Sequence, residues 1–264
     1  MPKLKHTFTT DILFKLIFTK NQHLLKRLIA QLLKITIESI TRFELADTEM
    51  PPDILGNKLC RLDIHMTVNE QEVNLEVQVE NEGDFIERTL FHWARIYSGA
   101  LRSGVDYEKL PSTIIISIVD FNLFSDSDDF HSRFKLLEVT RKTHLTDKQV
   151  LYFFELPKLP KKIGKDDILL MWLALFKAKT EEELIMIDGY GAEEINEVVT
   201  AYRNLSKSPE FREMERQRVM DEADAAHKIS KAVKRGEESE REKWQAVVAD
   251  KDALIAELQA KLKE

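Results

Sequence analysis

The sequence predicts an α/β protein with a mixed sheet flanked by helices, followed by a helical C-terminal region. Three observations predict it. Residues 9–34 place apolar side chains at a 3.6-residue period. Residues 58–80 and 110–121 are rich in β-formers, the first stretch alternating and the second a continuous β-branched run. From Pro209 onward the composition turns to charged helix formers. The expected divisions are a core over 1–160, a helical extension over 161–206 and a charged helical tail over 207–264, with a possible coiled coil at its end.

Composition limits the classes. The chain has 264 residues, 43% hydrophobic and 32% charged, which suits one globular domain with an appendage. Cys60 is the single cysteine, so an internal disulfide and a Cys-based zinc site are both excluded. The longest apolar stretch, near Ile114–Val119, is far too short to span a bilayer, and the N-terminal stretch lacks an apolar signal segment. No membrane and a cytoplasmic location are therefore expected. Net charge is −7, but it is unevenly spread. Residues 1–40 carry seven Lys/Arg against two acids, residues 131–179 eleven against five, and residues 181–264 fourteen against twenty-one. Basic segments placed toward phosphates would be hidden in that sum by the acidic tail, and scattered solubilising lysines would give the same count.

In chain order, Leu13, Phe14, Ile17 and Phe18, then Leu24, Leu25, Leu28, Ile29 and Leu32, mark a helix pair broken near Asn21. Thr9 or Thr10 precedes it as a cap, with Asp11 in the first turn. Asp11 and Lys15 stand one turn apart in a D-x-x-F-K-x-x-F pattern, as a helix ion pair or as site residues. A strand is expected over 37–49 and a loop over 51–57. The stretch 58–80 reads as a hairpin around Val68-Asn69-Glu70-Gln71. Leu62, Ile64 and Met66 share one face, and Arg61, Asp63 and His65 the other. Glu76, Gln78 and Glu80 share a face opposite Leu75, Val77 and Val79. Pairing Asp63 with the region of Glu76 gathers Asp63, Glu76 and Gln78 on one surface. Two converging carboxylates repel unless one takes a proton or a cation lies between them, and a hard divalent ion such as Mg²⁺ suits such an oxygen-rich site. The same alternation also describes the solvated face of an ordinary hairpin.

Asp84 can cap the helix that follows, expected to run to about Gly104 with an apolar stripe of Phe85, Leu90, Phe91, Ala94, Tyr97 and Leu101. Arg88, His92 and Arg95 form its polar edge, either turned to the hairpin carboxylates, where the arginines would hold a phosphate, or solvated. His65 and His92 are taken as surface or packing histidines. A buried strand over STIIISIVDF follows, then a polar loop over Phe121–Asp129, strands over 133–139 and 149–156, and a basic connector over 157–165. Residues 166–204 read as three short helices, with Trp172, Leu173, Leu175 and Phe176 in the core and a turn at Asp188-Gly189-Tyr190-Gly191. In the tail, Trp244, Val247 or Val248, Lys251, Leu254, Ile255, Leu258 and Leu262 fall near a 3–4 spacing. That spacing describes a short coiled coil, and so a homo-oligomer, or else a solvated single helix. The P-loop, G-x-G-x-x-G, H-E-x-x-H and G-x-S-x-G patterns are absent from the sequence.

The order helix, strand, strand with Asp63, turn, Glu-x-Gln strand, helix, buried strand resembles the PD-(D/E)XK (restriction-endonuclease-like) nuclease core. More narrowly, the chain resembles the recombination-promoting nuclease (Rpn) / transposase family. The carrying stretches are DILFKLIF (11–18), RLDIH (61–65), NLEVQVE (74–80), the helix with Arg88 and Tyr97, IIISIVDFNLF (114–124), FELPKL (154–159) and the tail over 211–240. The resemblance implies a metal-dependent DNA endonuclease that promotes recombination, with Mg²⁺, Mn²⁺ or Ca²⁺ as cofactor and DNA as partner. By the same resemblance Asp63 is the central metal-binding aspartate and Glu76 the acid of the ExK signature, with the Val77 carbonyl as a further metal ligand. Gln78 stands where the superfamily often has lysine, and Asp11 where its first helix often supplies another acid. Lys15, Arg88 and Arg95 are the expected DNA-phosphate contacts. Two other readings remain: a catalytically weak nuclease-fold protein that binds DNA or self-associates, and a transposase-like strand-transfer enzyme.

Overall fold

The computed structural model describes residues 2–46, 49–50, 60–61, 63–101 and 106–261. The loop expected over 51–57, Leu62, Gly104 and Leu262 lie outside them. Residues 1–211 form one compact unit and residues 212–264 a second.

The first unit begins with the expected helix pair, α1 (Asp11–Lys20) and α2 (Gln22–Leu33), separated at Asn21. The strand expected over 37–49 is instead a 3₁₀ turn, Ile37–Ser39, and a short strand β1 (Phe43–Leu45). The cause is Asn69, which takes φ 55° in the hairpin turn. Its side-chain Oδ1 accepts from Thr41 N at 2.9 Å and Arg42 N at 3.2 Å, and its Nδ2 donates to Ser39 O at 3.0 Å. These bonds occupy backbone groups that a longer strand would have used. β2 (Glu49–Met50) and β3 (Cys60–Arg61) pair apart from the main sheet. The hairpin is β4 (Ile64–Val68) and β5 (Gln71–Gln78), closed by a tight turn at Asn69-Glu70. Then come α3 (Phe85–Gly99), β6 (Ser112–Val119), β7 (His131–Lys135) and β8 (Gln149–Glu155). The main sheet has the order β1-β4-β5-β6-β8-β7. β5, β6 and β8 are parallel, while β4 and β7 run antiparallel to their neighbours. The sheet is mixed, as expected.

The two faces of the sheet differ in chemistry. One carries Ile64, Met66, Leu75, Ile116, Ile118 and Phe154, and packs in a single apolar core with α1, α2, α4 (Ile168–Lys177), α5 (Glu181–Asp188) and α6 (Glu193–Ser206). Trp172, Leu173, Leu175 and Phe176 are buried there, and Tyr202 donates its hydroxyl to the His6 carbonyl at 2.6 Å. The other face is covered by α3, whose Phe85 and Ile96 pack on Ile115, Val119, Leu151 and Phe153. Among the described residues, all the buried polar side chains lie on this second face or on α3 itself: His65, Asn74, Glu76, Thr113, Ser117, Gln149 and Glu155 below, Thr89 and His92 above.

This polarity corrects the stripe expected on α3. The inward residues are Phe85, Thr89, His92 and Ile96, whereas Leu90 and Phe91 are 41% and 43% exposed. The sheet beneath offers polar partners, so polar residues turn inward.

α5 is tied down by a capping box in which the Thr180 side chain accepts from Glu183 N and the Glu183 carboxylate returns to Thr180 N at 2.9 Å. Thr180→Ala is expected to cost about 1 kcal/mol. Thermal unfolding should then show a midpoint about 2–4 °C lower, and an unchanged midpoint would deny the cap any role.

The second unit is helical. It is the continuation of α7 (Pro209–Lys261), 53 residues long. Its Val219, Met220, Ile229, Val233, Trp244 and Ile255 are exposed. Arg216–Glu213 and Lys243–Glu240 pairs lie along it. Among the described residues no helix is long and apolar enough to cross a membrane.

Candidate functional site

The carboxyl ends of the parallel strands β5 and β6, with the start of β4, form one end of the sheet. In open α/β sheets that end is where ligands bind. The β4–β5 register pairs Ile64 with Leu75, so Asp63, one residue earlier, falls opposite Glu76. Asp63 Oδ2 accepts the Val77 backbone N–H at 3.0 Å. Its Oδ1 lies 3.4 Å from Lys15 Nζ, and Lys15 Nζ lies 2.9 Å from Asp11 Oδ1. α1 thus delivers Asp11 and Lys15 to the Asp63 carboxylate.

Burial raises the Asp63 pKa above its usual 3.8. The Val77 N–H and Lys15 oppose that rise, Glu76 and Asp11 add to it, and the net result is upward. For Lys15, burial acts downward, but Asp63 and Asp11 outweigh it and its pKa rises above the usual 10.5. Lys15 is therefore an ammonium at every working pH.

Glu76 is buried under α3. Its Oε1 is bonded to His92 Nδ1 and accepts from Asn74 Nδ2 at 2.8 Å. Asn74 Oδ1, Ser117 Oγ and Thr113 Oγ1 are buried on the same face without a hydrogen-bond partner among the described residues. Further along that face, His65 Nε2 meets Glu72 Oε2 at 2.8 Å. Gln78 is partly exposed. Its side-chain Nε2 donates to the Glu80 carbonyl at 3.0 Å, and its backbone carbonyl accepts from Asp120 N at 2.9 Å. Asp120, at the end of β6, has a side chain only 11% exposed and pairs with Lys179 at 2.8 Å.

The structure brings Asp11, Lys15, Asp63 and the Val77 backbone together, with Glu76 close enough to act on Asp63 electrostatically. Arg88 is turned elsewhere: its guanidinium reaches Glu82 at 3.3 Å and lies over the Phe85 ring at 5.3 Å. Arg95 is partly buried on the same flank of α3. Sequence reasoning set His92 aside and did not single out Asn74 or Asp120. The Phe85–Thr89–His92–Ile96 spacing of 4, 3 and 4 carried the signal for His92, and the place of Asp120 just past a buried parallel strand carried the other.

Among the described residues no three His, Cys, Asp or Glu side chains form a ready metal cluster. The donors present are Asp63, Glu76 and the Val77 carbonyl, all hard oxygens. Mg²⁺ is bound through one or two carboxylates and completes its shell with water and substrate phosphates, so this short donor set fits it. The upward push of Glu76 and Asp11 on Asp63 is the repulsion that a divalent cation would relieve.

A family model described as PD-(D/E)XK nuclease family transposase matches residues 8–232. No curated protein and no solved structure matches the chain.

Proposed function

Since the chain belongs to the PD-(D/E)XK nuclease family transposases, we propose that it is a divalent-metal-dependent DNA endonuclease, acting in the cytoplasm and promoting recombination through the breaks it makes. The observation that carries this reading is the Asp63–Glu76 pair at the carboxyl end of β5, with Glu76 buried and anchored on His92 and Asn74. Asp63, Glu76 and the Val77 carbonyl would hold the cation. When bound, Mg²⁺, or Mn²⁺ or Ca²⁺ in its place, would lower the pKa of the attacking water and neutralise charge gathering on the phosphorus oxygens.

The rest falls to the chain's own residues. His92 and Asn74 fix the carboxylate plane of Glu76 by bonding one of its oxygens. The Val77 N–H fixes Asp63 in the same way. Gln78 has an amide that accepts and donates but carries no charge, so it orients the attacking water through hydrogen bonds alone. The exposed apolar residues Trp244, Val247, Val248 and Ile255 of α7 suit self-association through the C-terminal helix.

The test is nicking and linearisation of plasmid by the full chain with Mg²⁺, Mn²⁺ or Ca²⁺, against EDTA, with Glu76→Gln purified in parallel. Metal-dependent cleavage lost in Glu76→Gln is the expected result. Salt-sensitive DNA retention without cleavage under any metal would replace the endonuclease by a DNA-binding protein. His92→Leu removes a donor behind Glu76 and should lower cleavage about 10–100-fold. Full activity in that variant would deny His92 the anchoring role.

A further inference from the structure

Asp63 is held between a backbone donor and a lysine. Of its two carboxylate oxygens, Oδ2 is committed to the Val77 N–H, and Oδ1 faces Lys15 across 3.4 Å. The closer contact of Lys15 is the 2.9 Å pair with Asp11, on the same helix one turn away. Lys15 thus bridges the two carboxylates, nearer to Asp11 than to Asp63. A cation taking Asp63 would use the oxygen that Lys15 faces, and an ammonium and a divalent ion cannot share it without strong repulsion in a partly desolvated site. The lysine stem is flexible, with four rotatable carbons, and Asp11 keeps it within reach. The displaced ammonium would then stand beside the oxygens of an arriving phosphate, at a site where Gln78 supplies no positive charge.

Resting on the nuclease reading above, we propose that Lys15 is an exchangeable counter-ion: it neutralises Asp63 while no divalent cation is bound, and it passes to the scissile phosphate of DNA when the cation takes Asp63. Lys15 thereby acts twice, against the metal before binding and with it afterwards. The two effects have opposite signs in a single variant, which a merely structural lysine would not produce.

Mn²⁺ alone is titrated calorimetrically into the metal-free full chain, and plasmid cleavage is measured on the same preparations. Lys15→Met should bind Mn²⁺ about 3–10-fold more tightly than the parent, because a competing charge is gone. It should cleave about 100-fold more slowly, because a charge on the phosphate is gone. Lys15→Arg, which keeps the charge, should bind Mn²⁺ within about 2-fold of the parent. Should Lys15→Met fail to fold, Lys15→Gln, which retains a donor for Asp11, is measured in its place. Equal or weaker Mn²⁺ binding by the neutral variant, or undiminished cleavage, overturns the proposal. A parent chain that neither binds Mn²⁺ nor cuts DNA overturns the nuclease reading itself, and the two failures are told apart by the parent's behaviour.

Discussion

Asp63→Asn is expected to cut no DNA and, at neutral pH, to melt higher than the parent chain. The first half follows from the place of Asp63 as a candidate metal ligand. Groups that merely support a ligand are worth about 10–100-fold, so losing the ligand should cost more than about 100-fold. The second half follows from its pKa, which burial, Glu76 and Asp11 raise above 3.8 against the pull of Val77 N–H and Lys15. A carboxyl whose pKa is raised by folding takes up protons more readily when folded than when unfolded. It therefore withdraws stability as the pH climbs from 3.8 through the raised folded value, and the loss is complete above it. Below 3.8 both states are protonated and no loss remains. An asparagine is neutral throughout and still accepts the Val77 N–H. Melting curves of the two chains should therefore separate at neutral pH and draw together near pH 4, close to the ordinary aspartate value. A variant that melts lower than the parent at neutral pH would refute the account of Asp63 as a strained carboxylate.

Lys158→Met is expected to be the most destabilising single change outside the large apolar core. Glu155, 1% exposed at the end of β8, accepts from Leu123 N at 2.6 Å, from Phe124 N at 3.1 Å and from Lys158 Nζ at 2.9 Å. Lys158, 10% exposed, also donates to the carbonyls of Phe124 at 2.5 Å and Ser127 at 2.7 Å. These bonds hold the 121–130 loop against the sheet. Removing one partner leaves a buried charge uncompensated, which costs about 3–5 kcal/mol. For a unit of this size that is a melting midpoint about 6–20 °C lower. The double variant Glu155→Gln with Lys158→Met carries no buried charge and should recover part of the loss. A single variant that melts with the parent would show that the pair holds nothing.

Much of the frame was legible in the sequence because it rests on local periodicity. The α1–α2 pair with its break at Asn21, the buried strand β6, and the alternation that sets Asp63 beside Glu76 all depend on neighbours within a few residues. The misreadings occur where a distant partner decides. Residues 37–42 look strand-like until the Asn69 side chain claims their backbone. Periodicity groups Leu90 and Phe91 of α3, but which side of a helix turns inward depends on what lies beneath it, here Asn74, Glu76 and Ser117. The site divides in the same way. The Asp11–Lys15 pair is readable from its i, i+4 spacing, whereas the reach of Lys15 to Asp63 and of His92 to Glu76 requires the folded sheet. Glu155 and Lys158 are only three apart, yet nothing in the sequence says that both are buried.

The unlike faces of the sheet bear on how this chain can change over generations. The apolar face, with five helices packed against it, buries most of the core's apolar side chains. The α3 face keeps polar groups out of water, several of them, such as Asn74 Oδ1 and Ser117 Oγ, without a partner among the described residues. Replacing such groups by apolar ones of similar volume relieves a desolvation penalty. On the nuclease reading proposed above, loss of the chemistry is then downhill for folding, and selection on the chemistry is what maintains the polar face. A descendant that has abandoned catalysis would persist as a well-folded and more stable scaffold, so abundance of the folded protein is no measure of retained activity.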